Sequence, residues 1–140
     1  MPQADRVRAI LIQDNLVLLI HRVKNGQTYW VFPGGGVEEQ DTSPEATIKR
    51  ECREELSLDI EVESGELLRT TRKNEISSFY QCGVVAGQLG YGDGLEFDNP
   101  ERGTYVFAWI PTAQIAKLEN VFPHEVRDYV ALHFGHHDSN

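Results

Sequence analysis

Pro33-Gly34-Gly35-Gly36, followed shortly by the helix-forming run Ser43 to Leu56, limits what the rest of this chain can fold into. Ser43-Pro44-Glu45 marks a helix start. Ser43 can cap, Pro44 suits the first helical position, and Glu45 stands where the positive end of the helix dipole favours an anion. The helix is expected to end near Leu56, with Ser57 where a C-cap glycine is more usual. The glycines let backbone approach a ligand or turn tightly. They lie just upstream of the helix, so their amides and carbonyls can face the same site.

The helix carries an unusual charge pattern. At about 100° per residue, Glu51, Glu54 and Glu55 share one arc. Ile48, Cys52 and Leu56 form the adjoining apolar stripe, with Lys49 and Arg53 beyond it. Glu51 faces Glu54 at i+3 and Glu55 at i+4, and like charges at those spacings destabilise a helix. A divalent cation would offset the repulsion, and hard carboxylate oxygens suit magnesium or manganese. The ordinary explanation of such a helix is a solvated acidic face; the glycines upstream tilt the reading toward a site.

A length of 140 residues suits one domain, 1–140, with residues 1–5 and 135–140 as loose ends. The net charge of −9 argues against nucleic acid polymers and anionic membranes as partners. It does not exclude a phosphate-bearing small molecule, because bound metal ions can invert the local field. Cys52 and Cys82 form no CxxC pair, and Cys52 on the apolar stripe reads as a buried thiol. No leader or membrane-spanning run is visible, so the cytoplasm is the expected compartment.

Along the chain, Arg6 to Ile12 and Leu16 to Arg22 read as a hairpin around Gln13-Asp14-Asn15. Lys24 to Thr28 reads as a polar loop with Asn25-Gly26 at its tip. Tyr29 to Phe32 is a short strand leading into a glycine turn. After the helix, Leu58 to Val62 and Glu66 to Arg72 read as extended, and Ile76 to Ala86 as a strand. A loop rich in glycine (Gly87, Gly90, Gly92, Gly94) follows, then a strand from Thr104 to Ile110. A short helix starts at Pro111 and a last one at Pro123, the latter reaching about Phe134. This order predicts an α/β (α+β type) sandwich with a mixed central sheet. Two phosphate motifs are excluded: no Lys-Ser/Thr follows the glycines, and the third glycine of G-x-G-x-x-G is missing.

With glycines, spacing and acidic helix in place, the stretch resembles the box of the Nudix hydrolases. That box is a glycine, five residues, a glutamate, seven residues, then Arg-Glu-apolar-x-Glu-Glu-x-Gly-apolar. Gly36 opens it, Arg50-Glu51-Cys52-Arg53-Glu54-Glu55 matches its core in full, and Leu58 closes it. Thr42 departs from the first glutamate, as if one residue were inserted, and leaves Asp41 as the nearest acid. Ser57 departs from the late glycine. The likeness extends over most of residues 6 to 132 and implies an α/β/α sandwich.

The resemblance implies magnesium-dependent hydrolysis of the diphosphate linkage in a nucleoside diphosphate derivative, with manganese as the other candidate ion. Glu51, Glu54 and Glu55 are the implied metal ligands, completed by the carbonyl of Gly36, or of Gly35 in a shifted loop. Arg50 is expected to orient the glutamates by ion pairing rather than touch substrate. Glu96 is the first candidate for a general base and Glu101 the second, against a surface acid for each. Arg8, Arg22 and Lys24 are candidates for the outer phosphates, with an ordinary surface cation the competing reading. Tyr29, Trp30 and Phe79 are candidates for stacking on a base, with core packing the competing reading. A monomer or homodimer is expected. The alternative function is a nucleotide-sensing domain without turnover, for which Thr42 and Ser57 are the only hints.

Overall fold

The computed structural model describes residues 3–90 and 103–135. These gather into two compact units. One takes in the residues up to Leu11 with those from Pro33 to Gly90. The other takes in Ile12–Phe32 with those from Gly103 on.

In the first unit, β1 (Arg6–Gln13) lies between two partners. On one side is β6 (Glu75–Gly87), parallel to it, with Arg8 opposite Phe79 and Leu11 opposite Cys82. On the other is β4 (Gly34–Gly36), antiparallel, with Arg6 opposite Gly36 and Arg8 opposite Gly34. The glycines are therefore a strand rather than the expected turn, because the edge of β1 supplies partners for their backbone groups. β5 (Leu58–Arg72) pairs antiparallel with β6. The two extended runs expected here are one strand, with irregular register between Val62 and Leu68. Nor is Asp5 a loose end. Its N–H donates to Ile76 O at 2.8 Å, its carboxylate accepts from Ile76 N–H at 2.8 Å, and its carbonyl accepts from Val37 N–H at 3.0 Å.

Helix α1 (Pro44–Leu56) starts as its sequence dictates: Ser43 Oγ accepts the Ala46 N–H at 3.1 Å and Pro44 opens the first turn. It packs on β4 and β5. Ile48, Cys52 and Leu56 are fully buried, each aliphatic side chain worth about 1.5–3 kcal/mol. Cys52 and Cys82 are buried free thiols; burial pushes both up, Cys82 to about 12. The helix ends at Ser57, whose φ of 62° is left-handed, its N–H donating to Arg53 O at 3.1 Å. A Cβ costs about 1 kcal/mol in that conformation. Ser57 is exposed, so Ser57→Gly is expected to raise stability by about 0.5–1 kcal/mol in urea unfolding.

In the second unit, β2 (Leu16–Lys24) pairs antiparallel with β3 (Gln27–Val31) and with β7 (Val106–Pro111). The end of β1 meets its start, Ile12 opposite Val17. β8 (Val121–Phe122) runs parallel to β3. A 3-10 segment, Thr112–Lys117, and helix α2 (His124–Phe134) complete the unit, with Val126 and Val130 buried. The expected Lys24–Thr28 loop is a tight hairpin: Asn25 and Gly26 have φ of 52° and 76°. Asp14-Asn15 and Lys73-Asn74 close their hairpins in the same left-handed way. Parallel and antiparallel pairs coexist, so the expected mixed sheet with packed helices is present. Among the described residues, no helix is long and apolar enough to cross a membrane.

Candidate active site

The glycine strand and the acidic helix face each other because glycine lets them. A Cβ on Gly35 would lie 2.4 Å from Glu51 Cδ, so the missing side chain is the space that the Glu51 carboxyl fills. Next door, Gly34 N–H donates to Glu55 Oε1 at 3.3 Å. The carboxylates of the first and third glutamates thus lie against β4, while Glu54 reaches outward, its side chain 63% exposed.

Arg50 ties the group together. Its Nη1 lies 3.2 Å from Glu51 Oε2 and 3.2 Å from Glu54 Oε1, and its Nη2 donates to Gly36 O at 3.1 Å. Arg50 thus pairs with two of the three glutamates. It also supplies a cation that softens the repulsion along the helix, without any metal. The remaining edge of the guanidinium is a fork on Asp41: Nε to Oδ1 at 3.1 Å and Nη2 to Oδ2 at 2.9 Å. Two-point Arg–carboxylate pairs of this kind are among the stronger polar contacts.

Asp41 is the residue that the sequence placed next to a gap. Thr42 is exposed, and Asp41 turns inward until its side chain is 4% exposed. Besides Arg50, its Oδ2 accepts Glu38 N–H at 2.8 Å and Thr47 Oγ1–H at 2.8 Å. The Arg50 hydrogen bonds, then the Glu38 amide, hold its carboxyl well below the usual carboxylate range. The same pairing raises Arg50. Asp41, one position before Thr42, is thus the acid that meets Arg50. Thr47 and Glu38 carried no signal in the sequence. Thr47 is read only in hindsight, as a buried hydroxyl three residues before Arg50 on the same helical face.

Arg8, opposite Gly34 on β1, is half-buried. Burial lowers its pKa, Arg6 lowers it further, and Glu55, Glu75 and Glu51 pull it back up. It is thus electrically coupled to the carboxylates. Phe79 is fully buried, so the core reading holds for it. Arg22, Lys24, Tyr29 and Trp30 belong to the second unit. Arg22 Nε donates to Thr104 O at 2.8 Å and its guanidinium lies 3.7 Å over the Tyr105 ring. The Trp30 ring is 4.5 Å from that of His21, and Tyr29 meets Phe122 edge-on at 6.3 Å. Glu96 and Glu101 lie outside the described residues.

The donor set fits a hard divalent ion in kind: carboxylates of Glu51, Glu54 and Glu55 and the carbonyl of Gly36, all oxygen. Among the described residues, no three acidic, histidine or cysteine side chains are already arranged as a metal cage. The Arg50 contacts give a local reason, since Glu51, Glu54 and Gly36 each have that guanidinium as a partner.

No curated protein sequence matches the chain at a significant level. Solved structures do. A MutT protein studied from Aliivibrio salmonicida and Vibrio cholerae is 23% identical, with a TM-score of 0.64, over 92% of this chain and 97% of that one. The ORF135 protein of E. coli is 26% identical, with a TM-score of 0.60, over 86% and 81%. An ADP-ribose pyrophosphatase from Streptococcus suis is 17% identical, with a TM-score of 0.64, over 95% and 92%. The family model of the NUDIX domain matches residues 2–131. Nearly the whole chain is thereby covered, and the chain belongs to the Nudix hydrolase family.

Proposed function

We propose that this chain is a divalent-metal-dependent pyrophosphohydrolase that cleaves the diphosphate linkage of a nucleoside diphosphate derivative. The observation that carries it is the acidic group on α1, two glutamates set against a glycine strand and a third facing outward, with one arginine among them. Glu51, Glu54, Glu55 and the Gly36 carbonyl are the residues that would hold magnesium, or manganese in its place. A bound ion there would screen charge developing on phosphoryl oxygens and make the attacking water more acidic. The protein's own part is positional. Asp41 fixes Arg50, Arg50 orients Glu51 and Glu54 ahead of ion binding, and β4 fixes Glu51 and Glu55. Arg8 adds positive charge beside the carboxylates, where the outer phosphates would lie. Arg22 and Trp30, in the second unit, are proposed as substrate-binding residues. Glu96, ahead of Glu101, is proposed to take the proton from water.

The family relatives support this reading by their names, which include ADP-ribose pyrophosphatase and UDP-X diphosphatase. The two departures that would favour a non-catalytic nucleotide sensor are absorbed locally: Asp41 holds Arg50, and Ser57 closes the helix in a left-handed turn. A soluble enzyme acting in the cytoplasm as a monomer or homodimer, with residues 1–140 as one domain, completes the proposal. The test is release of phosphate or nucleoside monophosphate with magnesium from a panel: ordinary and oxidised nucleoside triphosphates, ADP-ribose, dinucleoside polyphosphates and nucleotide sugars. Turnover of at least one, abolished by chelator, is expected. Thermal stabilisation by a nucleotide with no turnover of any would favour the sensor instead.

A further inference from the structure

Arg50 stands where a metal ion would have to work. Nη1 is 3.2 Å from a Glu51 oxygen, 3.2 Å from a Glu54 oxygen and 3.6 Å from Glu38 Oε2. Glu51 and Glu54 are two of the residues that would hold a magnesium ion, and Nη1 already draws on one oxygen of each. Those oxygens cannot face Nη1 and such an ion equally well, and the two cations repel each other at this range. Loading the site therefore costs the contacts that Arg50 makes to it.

The arginine is nonetheless not left without partners when the glutamates turn away. Nε and Nη2 are forked on the buried Asp41 carboxylate, which the Glu38 amide and the Thr47 hydroxyl hold in place. Nη1 keeps Glu38 Oε2 within reach. These partners lie off the donor set: Glu38 shares Nη1 with Glu51 and Glu54, and Asp41 holds the rest of the guanidinium.

We propose that Arg50 is the built-in counter-ion of the metal-free site, and that Asp41 and Glu38 are the alternative partners that let it yield Glu51 and Glu54 to a divalent ion. The inference rests on the metal-dependent reading above and deepens it. In the metal-free protein Arg50 keeps the acidic face of α1 from repelling itself. On loading, Glu51 and Glu54 exchange Nη1 for the ion while Arg50 stays on Asp41. Arg50 thereby weakens metal binding, and Asp41 and Glu38 strengthen it without touching the ion.

A purely structural Arg50–Asp41 pair gives the opposite expectation for Arg50, since loss of either partner would loosen the glutamates and weaken binding. The two readings separate in a titration of the full-length protein with Mn2+, free ion being followed by electron paramagnetic resonance, with no substrate present. Arg50→Gln is expected to tighten Mn2+ binding by about threefold to tenfold, and Asp41→Asn to weaken it by a similar factor. In chelator, Arg50→Gln is expected to melt below the wild type and to recover more degrees on adding Mn2+. Weakened binding in both variants overturns the proposal while leaving the metal-dependent reading intact. No saturable binding to the wild type sinks both. Glu38→Gln provides an arm independent of how well Arg50→Gln folds, because the Glu38 side chain is 51% exposed. It is expected to weaken binding by about twofold to threefold, and an unchanged or tighter dissociation constant overturns the proposal.

Discussion

Glu54→Gln is expected to lower kcat on the best substrate by about 10²–10³-fold while the protein remains folded. The two halves of that expectation come from different observations. The Glu54 side chain is 63% exposed and its one described contact is Arg50 Nη1 at 3.2 Å, so little of the fold depends on it. An exposed ion pair of that kind is worth about 0–1 kcal/mol, and thermal unfolding should move by no more than that implies. Its charge, by contrast, is one of three on the face proposed to gather cations for phosphoryl transfer. Glutamine keeps the shape and one oxygen but removes the charge. Retention of kcat within a few-fold of wild type, at saturating magnesium, would mean that Glu54 is not a ligand.

Why Glu51, Glu54 and Glu55 were legible before any coordinates is a matter of spacing. Helical periodicity put them on one arc, and repulsion at i+3 and i+4 demanded a cation nearby. The cation read from that pattern was a divalent ion, and Arg50 is a second one that the reading did not place on the arc. Arg50 is adjacent to Glu51 in the chain, and neighbours in a helix do not face each other by default. Its i,i+4 spacing to Glu54, together with the reach of the guanidinium, brings it over the acidic arc. Asp41 was visible as the nearest acid to a missing glutamate, but loops carry no periodicity from which to read which residue turns inward. That was decided by partners: Arg50, the Glu38 amide and the Thr47 hydroxyl all converge on one carboxylate. The glycines were misread as a turn for a related reason. Glycine permits turns, yet it also permits the close approach of α1 to a strand, and the choice depends on β1, far away in sequence. The Leu58–Arg72 strand was split in two because Ser64-Gly65 resembles a break, whereas pairing with β6 carries the strand across it as an irregularity.

The adjacent glycines of β4 should fail in different ways when each is changed to alanine. At Gly35 the three atoms nearest the added methyl all belong to the carboxyl end of Glu51, at 2.4, 2.5 and 2.7 Å. That end is mobile, so it can move aside, and the stability loss should stay near 1 kcal/mol. The displaced carboxylate, however, is a proposed metal ligand, and a misplacement of about 1 Å at a reacting centre can cost about 10²-fold in rate. At Gly34 the methyl meets backbone, Val7 O at 2.2 Å and Arg8 Cα at 2.6 Å, at a φ of 139° that L side chains rarely adopt. Neither atom can move without opening the β1–β4 pairing, so the loss should exceed about 3 kcal/mol. Gly35→Ala is therefore expected to be a folded, nearly inactive protein, and Gly34→Ala an unstable one. Urea unfolding and kcat measured on the same two preparations separate the cases. A stable, active Gly35→Ala would remove Glu51 from the metal site. Equal destabilisation of both variants would mean that β4 is fixed by its backbone alone and that the carboxylate takes no part in its packing.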